Sequence, residues 1–260
     1  MEKKYEIILF GATGFTGQLC AKYFKQNYPD LTWAIAGRDK NKLDDINIKF
    51  NLNVDTLVAD GDNLEALRVM AGQAKVILST AGPFARYSDL LVQACVEQGT
   101  HYTDITGENH WVRTLIDKHH ENASLKGVRI VPSCGYDSIP SDIGTFFAVS
   151  QFNKPVKRVE LFQEMQGGAS GGTIETAFSM GKLSKEMRDP FLLNPENSST
   201  EEQRKFSKDT MRIEKIEELD GWSGMFVMAA GNTRVVRRTA ALMEQNQNSY
   251  GANFTFGEYG

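Results

Sequence analysis

Ile7-Ile8-Leu9-Phe10-Gly11-Ala12-Thr13-Gly14-Phe15-Thr16-Gly17 is the stretch on which the fold turns: an apolar run meets three glycines spaced G-x-x-G-x-x-G, and a helical pattern follows. An apolar run that stops at glycine and reopens as a helix reads as a strand, a tight turn and a helix N-terminus. Outward from it, the first 135 residues alternate short apolar or β-branched runs with longer segments of helical period. Strands are predicted over Tyr5–Phe10, Leu31–Ala36, Val54–Ala59, Val76–Thr80, His101–Ile105 and Val128–Pro132. Such alternation predicts an α/β fold, a doubly wound parallel sheet with crossover helices. Phe15, Leu19 and Tyr23 recur every four residues and are expected to lay one apolar stripe on the sheet, as are Leu90, Ala94 and Cys95. Asp62-Asn63-Leu64-Glu65 reads as a capping box with Asp62 as the cap.

Past Ser133 the pattern changes, and residues 136–260 read as a second, α+β substrate or dimerisation region beside a dinucleotide-binding domain over 1–135. Val156–Gln166 looks like a strand and Thr173–Met187 like a helix. Val227–Met243 fits either state, and Tyr250–Phe256 alternates as a half-buried strand with Phe254 and Phe256 on one face. The polar stretch Asn194–Asp209 is expected to be a mobile loop or an exposed helix.

Composition narrows the function classes. With 260 residues, 29 Lys+Arg, 33 Asp+Glu and a net charge of −4, the chain lacks the basic excess of a nucleic-acid binder. No segment approaches the ~20 apolar residues of a spanning helix, and Met1-Glu2-Lys3-Lys4-Tyr5 has no signal-peptide core, so a cytoplasmic location is expected. Cys20, Cys95 and Cys134 are three cysteines without C-x-x-C spacing, which disfavours a disulfide framework and a zinc site. His110, His119 and His120 lack the H-E-x-x-H order, and a solvated helix face explains them better than a metal.

The glycine stretch carries the chemistry. Its first glycine makes the turn, the second lets the backbone touch a pyrophosphate, and the third lets the helix pack close; the helix N-terminus then offers free N–H groups to phosphate. This is a Rossmann-type dinucleotide signature, with Gly11, Thr13, Gly14, Phe15 and Thr16 as the cofactor contacts. The second strand ends at Ala36-Gly37-Arg38-Asp39, and Arg38 stands where a ribose-binding acid is usual; its planar fork suits a 2′-phosphate, favouring NADP(H) over NAD(H). Asp39 reads as a helix cap. At the next two strand ends Asp60 and Thr80, Ala81, Gly82 and Pro83 lie where a cofactor passes closely.

Hydride transfer commonly needs an acid as well. The catalytic candidates are Glu108, in the turn Asp104-Ile105-Thr106-Gly107-Glu108, and Tyr136 with Asp137 in Cys134-Gly135-Tyr136-Asp137-Ser138-Ile139-Pro140. Capping is the competing role for both loops. No Tyr-x-x-x-Lys pair follows the fourth strand. Arg234, Arg237 and Arg238 form a basic group suited to a carboxylate or phosphate, and Gly167-Gly168-Ala169-Ser170-Gly171-Gly172 suits a close backbone approach or a lid.

The chain resembles the saccharopine dehydrogenase-like oxidoreductases, in particular the trans-acting enoyl reductase branch. The resemblance is carried in order by Gly11–Gly17, Ser79–Phe84, His101–Glu108, Cys134–Asp142, Gly171–Thr173 and Asn232–Arg238. It implies a Rossmann half that binds a nicotinamide dinucleotide, a mixed half that forms the substrate cleft, and reduction of a C=C or C=O group on a small or acyl, lipid-derived substrate. A catalytically silent dinucleotide-binding redox sensor or lipid-associated protein is the alternative, and saccharopine-type C=N reduction a third. Family members continue past the aromatic strand, so a shortened form with slow turnover, an uncovered surface, homo-oligomerisation and peripheral lipid contact is expected.

Overall fold

The computed structural model describes residues 2–164, 188–208, 213–217 and 220–260. The predicted helix over Thr173–Met187 and the glycine-rich Gly167–Gly172 lie outside them. The chain divides into two compact units, Met1–Thr106 with Thr114–Cys134, and Gly107–Arg113 with Gly135–Gly260.

The first unit is a six-stranded parallel sheet of β1 (Tyr5–Phe10), β2 (Trp33–Gly37), β3 (Asp55–Val58), β4 (Ala74–Ser79), β5 (His101–Asp104) and β6 (Ile130–Val131). The order is β3-β2-β1-β4-β5-β6. Successive residues Ile8, Leu9 and Phe10 of β1, and Ala34, Ile35 and Ala36 of β2, are all buried, because helices cover both faces of a parallel sheet. On one side α1 (Phe15–Asn27) and α2 (Lys40–Lys49) enclose Leu9, Ala21, Ile35, Leu43 and Ile46. The unit also holds α3 (Leu64–Gly72), α4 (Phe84–Tyr87), α5 (Asp89–Gln98) and most of α6 (Asn109–Leu125), whose Ala123 clusters with Val96 and Val128.

Two expectations are corrected here. Phe15, Leu19 and Tyr23 do not face the sheet; they are 75%, 49% and 54% exposed, and α1 packs instead through Gly17 and Ala21, with Cys20 and Phe24 beside them. A helix that must lie close to its strand uses its small residues for the contact, so its bulky residues turn outward. The cap of α3 is Asn63, whose Oδ1 accepts the Ala66 N–H at 3.1 Å, one residue beyond the expected Asp62. Asp39 caps α2 as read, accepting the Lys42 N–H at 3.2 Å.

The second unit contains α7 (Ile139–Ser150), β7 (Arg158–Phe162), α8 (Glu201–Phe206), β8 (Glu214–Ile216), β9 (Gly221–Ser223), α9 (Ala229–Gln245) and β10 (Thr255–Tyr259). β10 pairs with β7 in parallel and β8 with β9 antiparallel. Val236, Tyr250, Phe254 and Phe256 form its apolar cluster. The predicted strand over Tyr250–Phe256 begins only at Thr255. Gly251 has φ +153° with an ideal Cβ 2.5 Å from the Val156 carbonyl, and Asn253 has φ 54°, so the chain folds over the core before extending. Within Asn194–Asp209, α8 opens with a capping box of Thr200 and Gln203, while Asn194 and Ser207 are buried rather than mobile surface; Asp209 lies outside the described residues.

Candidate functional site

The three glycines have three separate physical reasons. Gly11 takes φ +84°, and a Cβ there would lie 2.8 Å from the Ala81 nitrogen. A Cβ on Gly17 would come within 2.3 Å of the Gly11 carbonyl, so α1 rests directly on the turn. Gly14 is different: it is exposed, and its nearest neighbour to an ideal Cβ is the Gly11 carbonyl at 3.4 Å. The chain itself has room for a side chain at Gly14, so neither close packing nor a positive φ requires the glycine there. Gly14 is also the N-cap of α1, with no side-chain cap and no acidic residue in the first turn. Uncapped N–H groups, the positive end of the helix dipole and a bare backbone together suit a phosphate.

Adjacent strand ends are laced into one edge. The Gly11 N–H donates to the Ala36 carbonyl at 2.9 Å, the Ala59 N–H to Gly37 at 3.0 Å and the Thr80 N–H to Phe10 at 2.9 Å. Thr80 Oγ1 also reaches the Phe10 and Gly11 carbonyls, each at 3.2 Å. This edge lies where the strand order reverses between β1 and β4, the crevice in which open α/β sheets bind ligands. Gly11, Gly14, Thr80 and Ala81 are thereby gathered, with Gly82 and Pro83 leading into α4. Thr13 accepts the Gln18 side chain through its carbonyl, Thr16 is half-buried and Phe15 is exposed. Arg38 is exposed just past β2, and Asp60 is exposed past β3, its Oδ1 accepting the Asp62 N–H at 3.2 Å.

Asp104, unassigned by sequence beyond a turn, is the hub at the end of β5. Only 1% exposed, it accepts the Tyr102 hydroxyl at 2.8 Å and the N–H groups of Thr106 at 2.9 Å and Ser133 at 3.0 Å. Burial, then the neighbouring Asp104 charge, holds the Tyr102 phenol well above its ordinary pKa.

In the second unit, Glu108 is buried and its carbonyl accepts the Trp111 and Val112 N–H groups, starting α6. Tyr136 is 77% exposed. Asp137 beside it presents an exposed surface, yet the protein crowds its carboxyl enough for desolvation to raise its pKa. Ser138, the N-cap of α7, makes no side-chain cap. Its hydroxyl instead donates to Asn232 Oδ1 at 2.9 Å, and Asn232 Nδ2 donates to Glu258 Oε1 at 3.1 Å. Ser141 Oγ at 2.7 Å and Gln163 Nε2 at 2.5 Å converge on the same oxygen. Sequence reasoning missed this network because the links Ser138–Asn232, Gln163–Glu258 and Ser141–Glu258 join residues 94, 95 and 117 positions apart.

The basic group is corrected. Arg234, Arg237 and Arg238 do not offer a surface anion site; they turn inward and donate to the carbonyls of Arg188, Pro190 and Leu193, and Arg237 also to Phe256. Guanidinium forks here replace the regular backbone pairing that an irregular buried segment lacks. Cys20, Cys95 and Cys134 form no disulfide, and among the described residues no cluster of His, Cys, Asp or Glu fits a metal ion. Among them, too, no helix is long and apolar enough to cross a membrane.

Residues 7–131 match the saccharopine dehydrogenase NADP binding domain, the span of the sheet just described. The match identifies this span as a domain of the saccharopine dehydrogenase-like family. The first unit carries that family's NADP-binding domain, and the open Gly14 backbone with the exposed Arg38 fits such a cofactor. The chain is 34% identical over 279 residues to the trans-acting enoyl reductase of Mycobacterium bovis, and 34% over 281 residues to that of Mycobacterium leprae. Each match covers 99% of this chain, and the chain spans 65% of each relative's length. Apo saccharopine dehydrogenase (L-Glu forming) from Saccharomyces cerevisiae superposes on 61% of this chain and 34% of that one with a TM-score of 0.51 at 14% identity, a likeness of fold.

Proposed function

We propose that this protein is an NADPH-dependent oxidoreductase that reduces a C=C or C=O group of a small or lipid-derived acyl substrate, with residues 1–135 holding the cofactor and 136–260 serving the substrate and self-association. The observation that carries the cofactor half is the bare, exposed Gly14 at an uncapped helix N-terminus on the β1/β4 edge. The reaction class is supported by two relatives named trans-acting enoyl reductase.

In this reading the backbone from Gly11 to Thr16 cradles the pyrophosphate, Arg38 grips the 2′-phosphate, and Asp60 and Thr80–Pro83 border the cofactor along the strand ends. The nicotinamide, when bound, supplies the hydride. The chain's own part is to hold the substrate and supply the proton: Tyr136 offers an exposed phenol, Asp137 retains its proton more readily than a free carboxyl, and Glu108 contacts the substrate. The protein works in the cytoplasm as a homo-oligomer, without nucleic acid and with peripheral contact to lipid.

Calorimetric titration tests the cofactor half. NADPH is expected to bind more tightly than NADH, and Arg38→Ala to remove about 1.5–3 kcal/mol from NADPH binding alone, the range of a charge-assisted hydrogen bond. Equal affinities in the parent protein would sink that assignment. Loss of NADPH absorbance with enoyl, keto or imino substrates tests the reaction; binding without consumption across all three overturns it in favour of a silent dinucleotide binder.

A further inference from the structure

Helix α7 is built inside out. Its inward side is Ser141, Asp142 and Thr145, with Ser141 at 0% and Thr145 at 3% exposure. Its outward side is Ile139, Ile143, Phe146 and Phe147, at 39%, 51%, 42% and 65%. Spacings of four, three and one place these four on a single stripe, and Phe152 just beyond the helix is 64% exposed. The rotation is locked. Ser141 is tied to Glu258 at 2.7 Å, Thr239 donates to Asp142 at 2.9 Å and Ser138 donates to Asn232 at 2.9 Å. Turning the apolar stripe inward would strand these polar partners.

We propose that this face of α7 is where a second copy of the chain docks, helix against helix; the inference rests on the reading that the protein is a homo-oligomer and names the surface. Three observations favour that occupant. Gly144 is exposed on the same helix with nothing within 4 Å of an ideal Cβ, so no contact within the described chain uses its missing side chain, whereas close approach of another backbone would. The single charged residue of α7, Asp142, is turned inward, so the exposed side carries no charge and can meet its own copy across a two-fold axis without repulsion. The exposed parts of the five apolar side chains amount to roughly 500 Å², taking a large aromatic as about 200 Å². A stable homodimer interface needs about 800 Å² per partner, some 65% of it apolar in its core, and the two figures agree.

A lipid surface fits less well. The cations beyond the helix are largely neutralised, Lys157 by Glu202 at 3.5 Å and Arg158 by Glu160 at 2.5 Å, leaving Lys154 where headgroup binding draws on clusters of about four or more.

Sedimentation velocity across the micromolar range, with and without NADPH, decides it. The parent chain is expected to dimerise, and Ile143→Glu and Phe147→Glu each to raise the dissociation constant at least tenfold. Both positions are exposed, so unchanged circular dichroism and melting should accompany the loss. Gly144→Leu should weaken the dimer similarly while leaving the monomer folded, since its site is open. A parent chain that stays monomeric overturns both this inference and the homo-oligomer reading. A dimer untouched by all three substitutions overturns only the assignment of α7. Co-flotation of a monomeric parent chain with phosphatidylserine vesicles, abolished by Phe147→Glu, would give the face to lipid and overturn the proposal.

Discussion

In the first unit the middle of the sheet layers is apolar, with Ile8, Leu9, Ile35, Ala36 and Ile77, and buried polar side chains such as Ser79, Thr100 and Asp104 stand at the strand ends; in the second, Val236 and Phe256 share the interior with Ser138, Ser141, Asn232, Arg237 and Glu258. The difference lies in what each interior requires. An apolar layer asks for volume and shape, and many residue combinations satisfy it. A polar interior asks every donor for an acceptor, so each member depends on residues far away in the chain. The first unit should therefore be sensitive to steric intrusion at its glycines, and the second to the loss of a single partner.

The glycines give the largest expected effects and would break the comparison most plainly. Gly14→Val should abolish NADPH binding in calorimetry while the circular dichroism and melting temperature stay near those of the parent, because the chain leaves space there. Gly17→Val should unfold the first unit outright, since its Cβ would fall 2.3 Å from the Gly11 carbonyl. If the two variants behaved alike, the distinction between a cradle and a packing contact would fail.

Glu258→Leu should cost about 3 kcal/mol in denaturant unfolding, because Asn232, Ser141 and Gln163 would lose one shared acceptor in a buried setting. Glu258→Gln keeps an acceptor oxygen and should recover much of that. A Leu variant as stable as the parent would mean that the polar interior is no more demanding than the apolar one.

Asp142 sharpens the same point through pH. Burial pushes its carboxyl up to about 6 from 3.8, with the Thr239 hydroxyl opposing. The folded state thus binds the proton more tightly than the unfolded state. Its contribution favours folding below about pH 4 and is lost as pH rises through about 6, a swing of about 2–3 kcal/mol. Asp142→Asn should remove this fall and be more stable than the parent at neutral pH, measured as unfolding free energy against pH. A parent whose stability rises monotonically from pH 4 to 7 while the Asn variant tracks it would refute the assignment.

The smallest effect belongs to a purely local contact. Asp39→Ala should cost about 1 kcal/mol by leaving the Lys42 N–H without its cap. NADPH affinity should barely change, consistent with Arg38 rather than Asp39 meeting the ribose.

Much of the first unit was legible from residues alone, and the reason is locality. β1 runs over Tyr5–Phe10 as read, and the other five strands lie within a few residues of their predicted bounds; the central strands β1 and β2 appear as near-unbroken apolar runs between turn signals, as strands covered on both faces do. Asp39 was readable as a cap for the same reason: donor and acceptor are three residues apart. Where periodicity misled, as with Phe15, Leu19 and Tyr23, the pattern identified an apolar stripe but not which side of the helix the sheet would take; the close approach at Gly17 decided that.

The amino-acid sequence by itself determined the alternating α/β order, the glycine turn with its bare helix N-terminus, and the cation that follows β2. The last two are each written within about ten consecutive residues, and the first is a succession of such local signals, where chain geometry leaves few choices. Only the tertiary structure decided that Arg234, Arg237 and Arg238 serve buried carbonyls, that Asp104 and Glu258 are hubs, and that α7 turns Phe146 and Phe147 outward. A polar side chain has the same local signature whether it meets water, a ligand or a carbonyl many residues away. Its role is settled by which partners the fold brings within hydrogen-bond reach, and that information is spread over the whole chain.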